Sequence, residues 1–204
     1  MNKEQTPVFP LVYVVDDDVS VRDSLAFMLE EHDFRVMAFE DGQAFLDSAD
    51  TQSAGCVVLD SRMPKLRGQQ VHQLLNAANS PLAVIYLTGH GDVPMAVEAL
   101  RAGAVHFFQK PVKGDELADA IRQAFAQSLA KVEQGATRVA FNSLTQREKD
   151  ILRLIIDGKR NIRIADELHI AMRTVEVHRA SLLKKLGAKT VAELAYIYGK
   201  FSDQ

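Results

Sequence analysis

The feature that most constrains this chain is an alternation: five short apolar runs, each followed by residues at helical spacing, fill positions 11–125. The runs are 11–15, 35–39, 56–60, 82–87 and 105–108. Between and after them, Val21, Leu25, Met28 and Leu29, then 43–48, then Val71, Leu74 and Leu75, then 95–102, and finally Leu117, Ile121, Ala124 and Phe125 mark helices. Strands alternating with helices predict a parallel, doubly wound sheet covered on both faces, because parallel neighbours need a crossover of one hand. Ligands of such sheets gather at the carboxyl ends of the strands. Those ends carry Asp16, Asp17 and Asp18 after the first run, Asp60 closing the third, Thr88 after the fourth and Lys110 after the fifth.

A lone Asp such as Asp60 at a strand end equally suits a helix cap or a turn, and a single Lys there suits a solvated surface or, with Pro111, a simple turn. The four ends together say more. Asp16, Asp17 and Asp60 on one edge repel unless a cation joins them. A hard divalent ion with oxygen ligands answers that need, and Mg2+ suits an open edge because it takes only one or two carboxylates and keeps its waters. Lys110 supplies a positive charge and Thr88 a hydroxyl, both fitted to the oxygens of a phosphoryl group. In that reading Asp60 is a nucleophile that forms an acyl phosphate by in-line transfer. Asp16-Asp17-Asp18 also has the Asp-x-Asp spacing of haloacid-dehalogenase-type phosphatases, in which the first Asp is the nucleophile.

Past Phe125 the apolar spacing loosens over 127–142, with Gly135 inside it, which predicts a partly helical linker. Four short helical segments follow, 146–156, 162–168, 173–186 and 191–198, with Gly158 and Gly187 placed as helix stops. Charge divides the same way. Residues 1–137 hold 11 Lys and Arg against 19 Asp and Glu, a net of −8, whereas 138–204 hold 13 against 8, a net of +5. The basic half is therefore the better candidate for nucleic acid, although a small packing unit with a solvated basic face fits the same pattern. Segments 162–168 and 173–186, joined by His169-Ile170-Ala171-Met172, form a helix-turn-helix candidate. In the second of them Val175, Leu182, Leu183 and Leu186 fit a core face. Glu176, Val177, Ala180 and Lys184 fall on the other, where Val177 and Ala180 suit thymine methyl groups and Arg173, Arg179, Lys184 and Lys185 suit phosphates. The single Cys56 lies in a buried run and reads as a core residue; no apolar run reaches the ~18 residues of a membrane span, and residues 1–5 lack a signal-peptide layout. No membrane partner and a cytoplasmic location are the expectations.

The wording of several segments is specific. Val14-Val15-Asp16-Asp17-Asp18, Val57-Val58-Leu59-Asp60 with Met63-Pro64 and Gly68, Leu87-Thr88-Gly89-His90-Gly91-Asp92, and Ala102-Gly103-Ala104 leading to Lys110-Pro111 resemble the receiver domain of two-component response regulators, most of all the FixJ branch. Leu144-Thr145-Gln146-Arg147-Glu148, Asn161, Ile164-Ala165 and Thr174-Val175-Glu176-Val177-His178-Arg179 through Lys185-Leu186-Gly187-Ala188 resemble the LuxR-type helix-turn-helix, as in the FixJ/NarL family. The resemblance implies a flavodoxin-like α/β receiver domain over 8–126, a linker over 127–142 and a separate all-α, four-helix DNA-binding domain over 143–204. It implies that Asp60 takes phosphate from a sensor histidine kinase, and that Asp17, Asp60 and the main-chain carbonyl of Arg62 hold Mg2+ with Asp16 assisting. Thr88 and Phe107 would then move together and change the face of the fourth helix and fifth strand, through which the chain would dimerise. Such a protein is no metabolic enzyme: it transfers phosphate to itself and loses it slowly. Arg173, Thr174, Glu176, Val177, Arg179, Ala180 and Lys184 would meet double-stranded promoter DNA, with RNA polymerase as a further partner. A regulator that binds DNA whatever its phosphorylation state is the competing reading within the same family.

The chain departs from the branch at several points. Lys65 and Arg67 stand where a glycine and an acid are usual, His106 and Gln109 where acids are usual, Ala171 where a capping serine is common, and Ile162-Arg163 where a basic-acidic pair is usual. None removes a group of the acidic pocket. Lys65, Arg67, His106 and Gln109 bear on kinase recognition, dimer contacts or phosphate lifetime, and His90 and Arg62 on lifetime. Ala171 forfeits about 1 kcal/mol of helix-start stabilisation.

Overall fold

A computed structural model describes residues 10–89 and 93–202. His90, Gly91 and Asp92 of the Thr88 motif lie outside the described residues. By its contacts the chain divides into two compact units, 1–132 and 133–204.

In the first unit, strands β1 (Leu11–Val15), β2 (Arg35–Phe39), β3 (Cys56–Leu59), β4 (Ala83–Thr88) and β5 (His106–Gln109) alternate with helices α1 (Val19–Glu31), α2 (Gly42–Ser48), α3 (Gly68–Ala77), α4 (Val93–Arg101) and α5 (Gly114–Asn142), whose residues past 132 belong to the second unit. All pairings are parallel and the strand order is β2-β1-β3-β4-β5. The expected α/β architecture is thus present. β1, β3 and β4 are apolar along almost their whole length because both faces are covered. Val12, Val14, Val58, Ile85 and Leu87 pack with Leu25, Leu29, Leu117 and Ile121 on one side, and Tyr13, Val15, Val57, Leu59, Val84 and Tyr86 pack with Phe45, Val71 and Leu75 on the other. Register carries the site: Val15 pairs with Leu59, and Leu59 with Tyr86, so the residues just past each strand end converge.

Two details differ from the sequence reading. Leu74 is 49% exposed, and His72, 2% exposed, takes its place on the buried face. The stripe on α3 is Gly68, Val71, His72 and Leu75, spaced three, four and seven residues from the first, so a polar side chain sits where apolar residues were sought. Tyr86 compensates it, with its hydroxyl 3.4 Å from His72 Nδ1. Burial, reinforced by the charge of Lys131, pushes the His72 imidazole down and keeps it neutral. The stretch 127–142, expected to be only partly helical, is helical throughout as the continuation of α5. One glycine costs a helix about 1 kcal/mol against alanine, too little to break a run of good helix formers without proline. The apolar spacing loosens there because Leu129, Val132 and Val139 are exposed at 41%, 37% and 70%.

The second unit packs α6 (Gln146–Ile156), α7 (Asn161–Leu168), α8 (Met172–Lys185) and α9 (Val191–Phe201) around Ile151, Leu152, Ile155, Ile164, Val175, Leu182, Leu186 and Leu194. Thr145 caps α6 and forms a reciprocal box with Glu148. Arg147 donates to the carbonyl of Leu168 at 2.6 Å, satisfying an end of α7. His169 then turns the chain in the left-handed region, φ 51°, toward α8. No helix among the described residues is long and apolar enough to cross a membrane.

Candidate functional site

The sheet brings Asp16, Asp17 and Asp60 to one edge. Asp16 follows the last residue of β1, and the Asp60 amide donates to the carbonyl of Val15 at 2.9 Å, extending the β1–β3 ladder by one bond. One oxygen from each carboxylate falls within 4.8 Å of the others. Asp16 is 2% and Asp60 7% exposed, while Asp17 is exposed. Gly68 lets α3 close on this loop: a Cβ there would sit 2.3 Å from the Asp60 carbonyl oxygen.

Lys110 completes the pocket. Its ammonium bonds Oδ2 of Asp16 and lies 3.7 Å from Oδ2 of Asp60. The Lys110–Pro111 peptide is cis. Burial raises the Asp16 carboxyl above its ordinary value, opposed by its bond to Lys110, its acceptance of the Asp18 amide and the lysine charge. Both Asp16 oxygens are engaged, Oδ2 by Lys110 and Oδ1 by the Asp18 amide at 3.1 Å. Asp18 is engaged too, capping α1 through the amides of Ser20 at 2.8 Å and Val21 at 3.4 Å. The first and third acids of the Asp-x-Asp spacing are therefore occupied in structural bonds, which argues against Asp16 as a nucleophile.

Asp60 differs. Its Oδ1 is buried and has no hydrogen-bond partner. A buried carboxylate oxygen without a donor is costly, so the position favours an electrophilic partner. Three carboxylates, one of them with a bare oxygen, fit a hard cation with oxygen ligands such as Mg2+. Arg62 is exposed at the rim, where it lines a cavity of about 610 Å3 with Asp17, Met63 and Met95.

Thr88 is 1% exposed, and its Oγ1 lies 2.7 Å from Oγ of Ser61, itself 1% exposed. Phe107 is half-buried and meets Tyr86, ring centres 6.2 Å apart. Sequence reasoning singled out Thr88 and Phe107 but not Ser61, since its position next to Asp60 does not reveal which way its hydroxyl points. Lys65 departs from the usual residue with a structural consequence: at φ 63° it pairs with Asp41, the cap of α2, at 2.6 Å. His106 stacks on Phe108, ring centres 4.3 Å apart.

In the second unit Arg173, Thr174, Glu176, Val177, Ala180 and Lys184 are exposed on α8. Val177 is 62% exposed. Arg179 is half-buried and donates to Asn161 Oδ1 at 3.2 Å, which orients it across α7. Lys185, expected near phosphates, keeps a side chain 45% exposed while its ammonium bonds Glu148 at 2.5 Å, and Glu148 is only 6% exposed. A buried carboxylate needs a cation, and Lys185 supplies it from the surface. Ala171 precedes α8 with no side-chain cap, and Ile162 is 59% exposed.

Comparison with known proteins agrees with both units. Residues 12–122 match the family described as the response regulator receiver domain, and 142–198 match the bacterial regulatory proteins of the luxR family. The chain is 46% identical over 189 residues to the transcriptional regulatory protein FixJ of Bradyrhizobium diazoefficiens, covering 90% of this chain and 91% of that one. It is 42% identical over 192 residues to the tetrathionate response regulatory protein TtrR of Salmonella typhimurium, covering 94% and 93%. Among solved structures, the response regulator StyR superposes with a TM-score of 0.72 at 38% identity over 95% of this chain and 100% of that one. Full-length FixJ from B. japonicum gives 0.58 at 39% identity over 96% and 98%. The acidic pocket on a parallel sheet and the exposed helix of a helix-turn-helix thus occur together, and the chain belongs to the two-component response regulators of the FixJ/NarL family, transcriptional regulators that join a receiver to a LuxR-type DNA-binding domain.

Proposed function

We propose that Asp60 is the phosphoacceptor and that its charge gates dimerisation and promoter binding. The observation that carries this is the unpartnered, buried Oδ1 of Asp60, with the Lys110 ammonium 3.7 Å from the other oxygen. An Asp60 carboxylate oxygen attacks the phosphorus of a phosphohistidine on a sensor histidine kinase. The P–O bond forms as the P–N bond breaks, and the imidazole leaves with the electron pair and takes a proton. Lys110 offsets charge on the transferring oxygens and the Thr88 hydroxyl binds one of them in the product. Asp17, Asp60 and the Arg62 carbonyl would hold Mg2+, with Asp16 assisting from the same cluster, and the ion would supply charge neutralisation and in-line alignment. The chain is its own substrate, and slow hydrolysis of the acyl phosphate resets it.

Movement of Thr88 toward the phosphoryl group draws Phe107 after it and alters the face made by α4 and β5, through which two chains dimerise. Two DNA-binding units then read two half-sites, each presenting Arg173, Arg179 and Lys184 to phosphates and Thr174, Glu176, Val177 and Ala180 to base edges. Linking two weak sites raises effective concentration, which is how dimerisation becomes DNA affinity. RNA polymerase is the partner through which the bound dimer acts on transcription. Sedimentation and promoter-DNA binding with and without an acyl-phosphate donor test the gating. The wild type is expected to shift to dimer and bind more tightly, and Asp60→Asn to do neither; equal binding by both proteins under both conditions defeats the proposal.

A further inference from the structure

We infer that Ser61 is a positioning residue of the phosphorylation switch: its hydroxyl holds Thr88 in the resting arrangement and opposes the move of Thr88 toward Asp60. The inference rests on the reading of Asp60 as phosphoacceptor.

Register makes the contact. Leu59 pairs with Tyr86, so two residues further along each segment stand Ser61 and Thr88. Their hydroxyl oxygens are 2.7 Å apart, both side chains are 1% exposed, and neither has bulk water to turn to. Ser61 cannot follow Thr88 if the threonine moves. Its carbonyl accepts the Gly68 amide at 3.3 Å, and α3 presses so close that a Cβ on Gly68 would sit 3.1 Å from the Ser61 Cα.

Each hydroxyl has one proton. When Thr88 donates to Ser61, that proton is withheld from a phosphoryl oxygen. When Ser61 donates, the bond still fixes the direction of Thr88 Oγ1. In both cases turning Oγ1 toward a phosphoryl group on Asp60 breaks a buried hydrogen bond, and this cost falls on the active state alone. Ser61 thereby sets how far phosphorylation drives the switch without touching the reacting atoms.

The test uses the full-length chain with Mg2+ and beryllium trifluoride, a phosphoryl mimic that binds carboxylate oxygen, and reads affinity by titration calorimetry. Ser61→Ala is expected to bind the mimic about 2- to 10-fold more tightly than wild type, the factor that one net hydrogen bond supplies. In a Thr88→Val background the same substitution is expected to change affinity less than twofold, because the partner is gone. Unchanged or weaker binding by Ser61→Ala overturns the inference, as does equal tightening in the Thr88→Val background, which would mark a general packing effect. Failure of the wild type itself to bind the mimic overturns the reading of Asp60 and the inference with it. Binding by wild type with no change in Ser61→Ala rejects the Ser61 role alone.

Discussion

The Lys110 ammonium stands 3.7 Å from Oδ2 of Asp60 while it bonds Oδ2 of Asp16. One cation thus serves a structural carboxylate and a reactive one. Replacing it with a neutral side chain leaves buried acids uncompensated, and its partial exposure moderates the loss. Lys110→Met is expected to destabilise the receiver by about 1–3 kcal/mol, and Asp16→Asn added to it to recover part of that. Calorimetric unfolding of the wild type and the two variants measures both effects.

Glu148 gives the DNA-binding unit a pH signature. Its bond to Lys185, then its acceptance of the Thr145 amide, hold its carboxyl below the ordinary value. A depressed folded value contributes stability that is full above the unfolded value, near pH ~4.3, and lost as pH falls through the folded one. Wild type is therefore expected to exceed Glu148→Gln by about 1–2 kcal/mol near neutrality. The gap closes below about pH 4. Unfolding of the two proteins across pH 3–7 measures the gap.

Ala171 leaves the start of α8 without a side-chain cap. Its extended backbone, φ −69° and ψ 144°, already has the conformation a capping residue takes. Ala171→Ser is expected to stabilise the unit by about 1 kcal/mol, read as a higher midpoint of thermal unfolding.

The exposed face of α8 separates affinity from specificity. Lys184→Ala is expected to weaken binding evenly across DNA sequences and to lower the slope of log affinity against log salt by about 0.9, one phosphate contact. Substitution of Glu176 or Val177 is expected instead to alter base preference by about 1–3 kcal/mol at one position. Fluorescence anisotropy over a salt series, with a small panel of duplexes, separates the two outcomes.

Much of this architecture was legible because it rests on periodicity and on strand ends. The runs at 11–15 and 35–39 coincide with β1 and β2, and the segment 146–156 with α6. Asp16, Asp17, Asp60 and Lys110 could be gathered from topology alone, since parallel strands place their carboxyl ends on one edge. What escaped depends on side-chain direction. Leu74 faces outward and His72 inward because Tyr86 offers the imidazole a partner across the sheet face. Lys185 bonds the buried Glu148 while its side chain stays 45% exposed, a pairing across helices that the spacing within α8 does not reveal. The unbroken run of α5 through 127–142 escaped because a solvent-exposed helix carries no apolar stripe to read.

If Asp60 carries the phosphate, the site of its incorporation shows it. The full-length chain is incubated with an acyl-phosphate donor and Mg2+, the product is reduced with borohydride, and the peptides are read by tandem mass spectrometry. Reduction at position 60 in the wild type, with none in Asp60→Asn, is the predicted result. Reduction at Asp16, or at no carboxylate, contradicts the account.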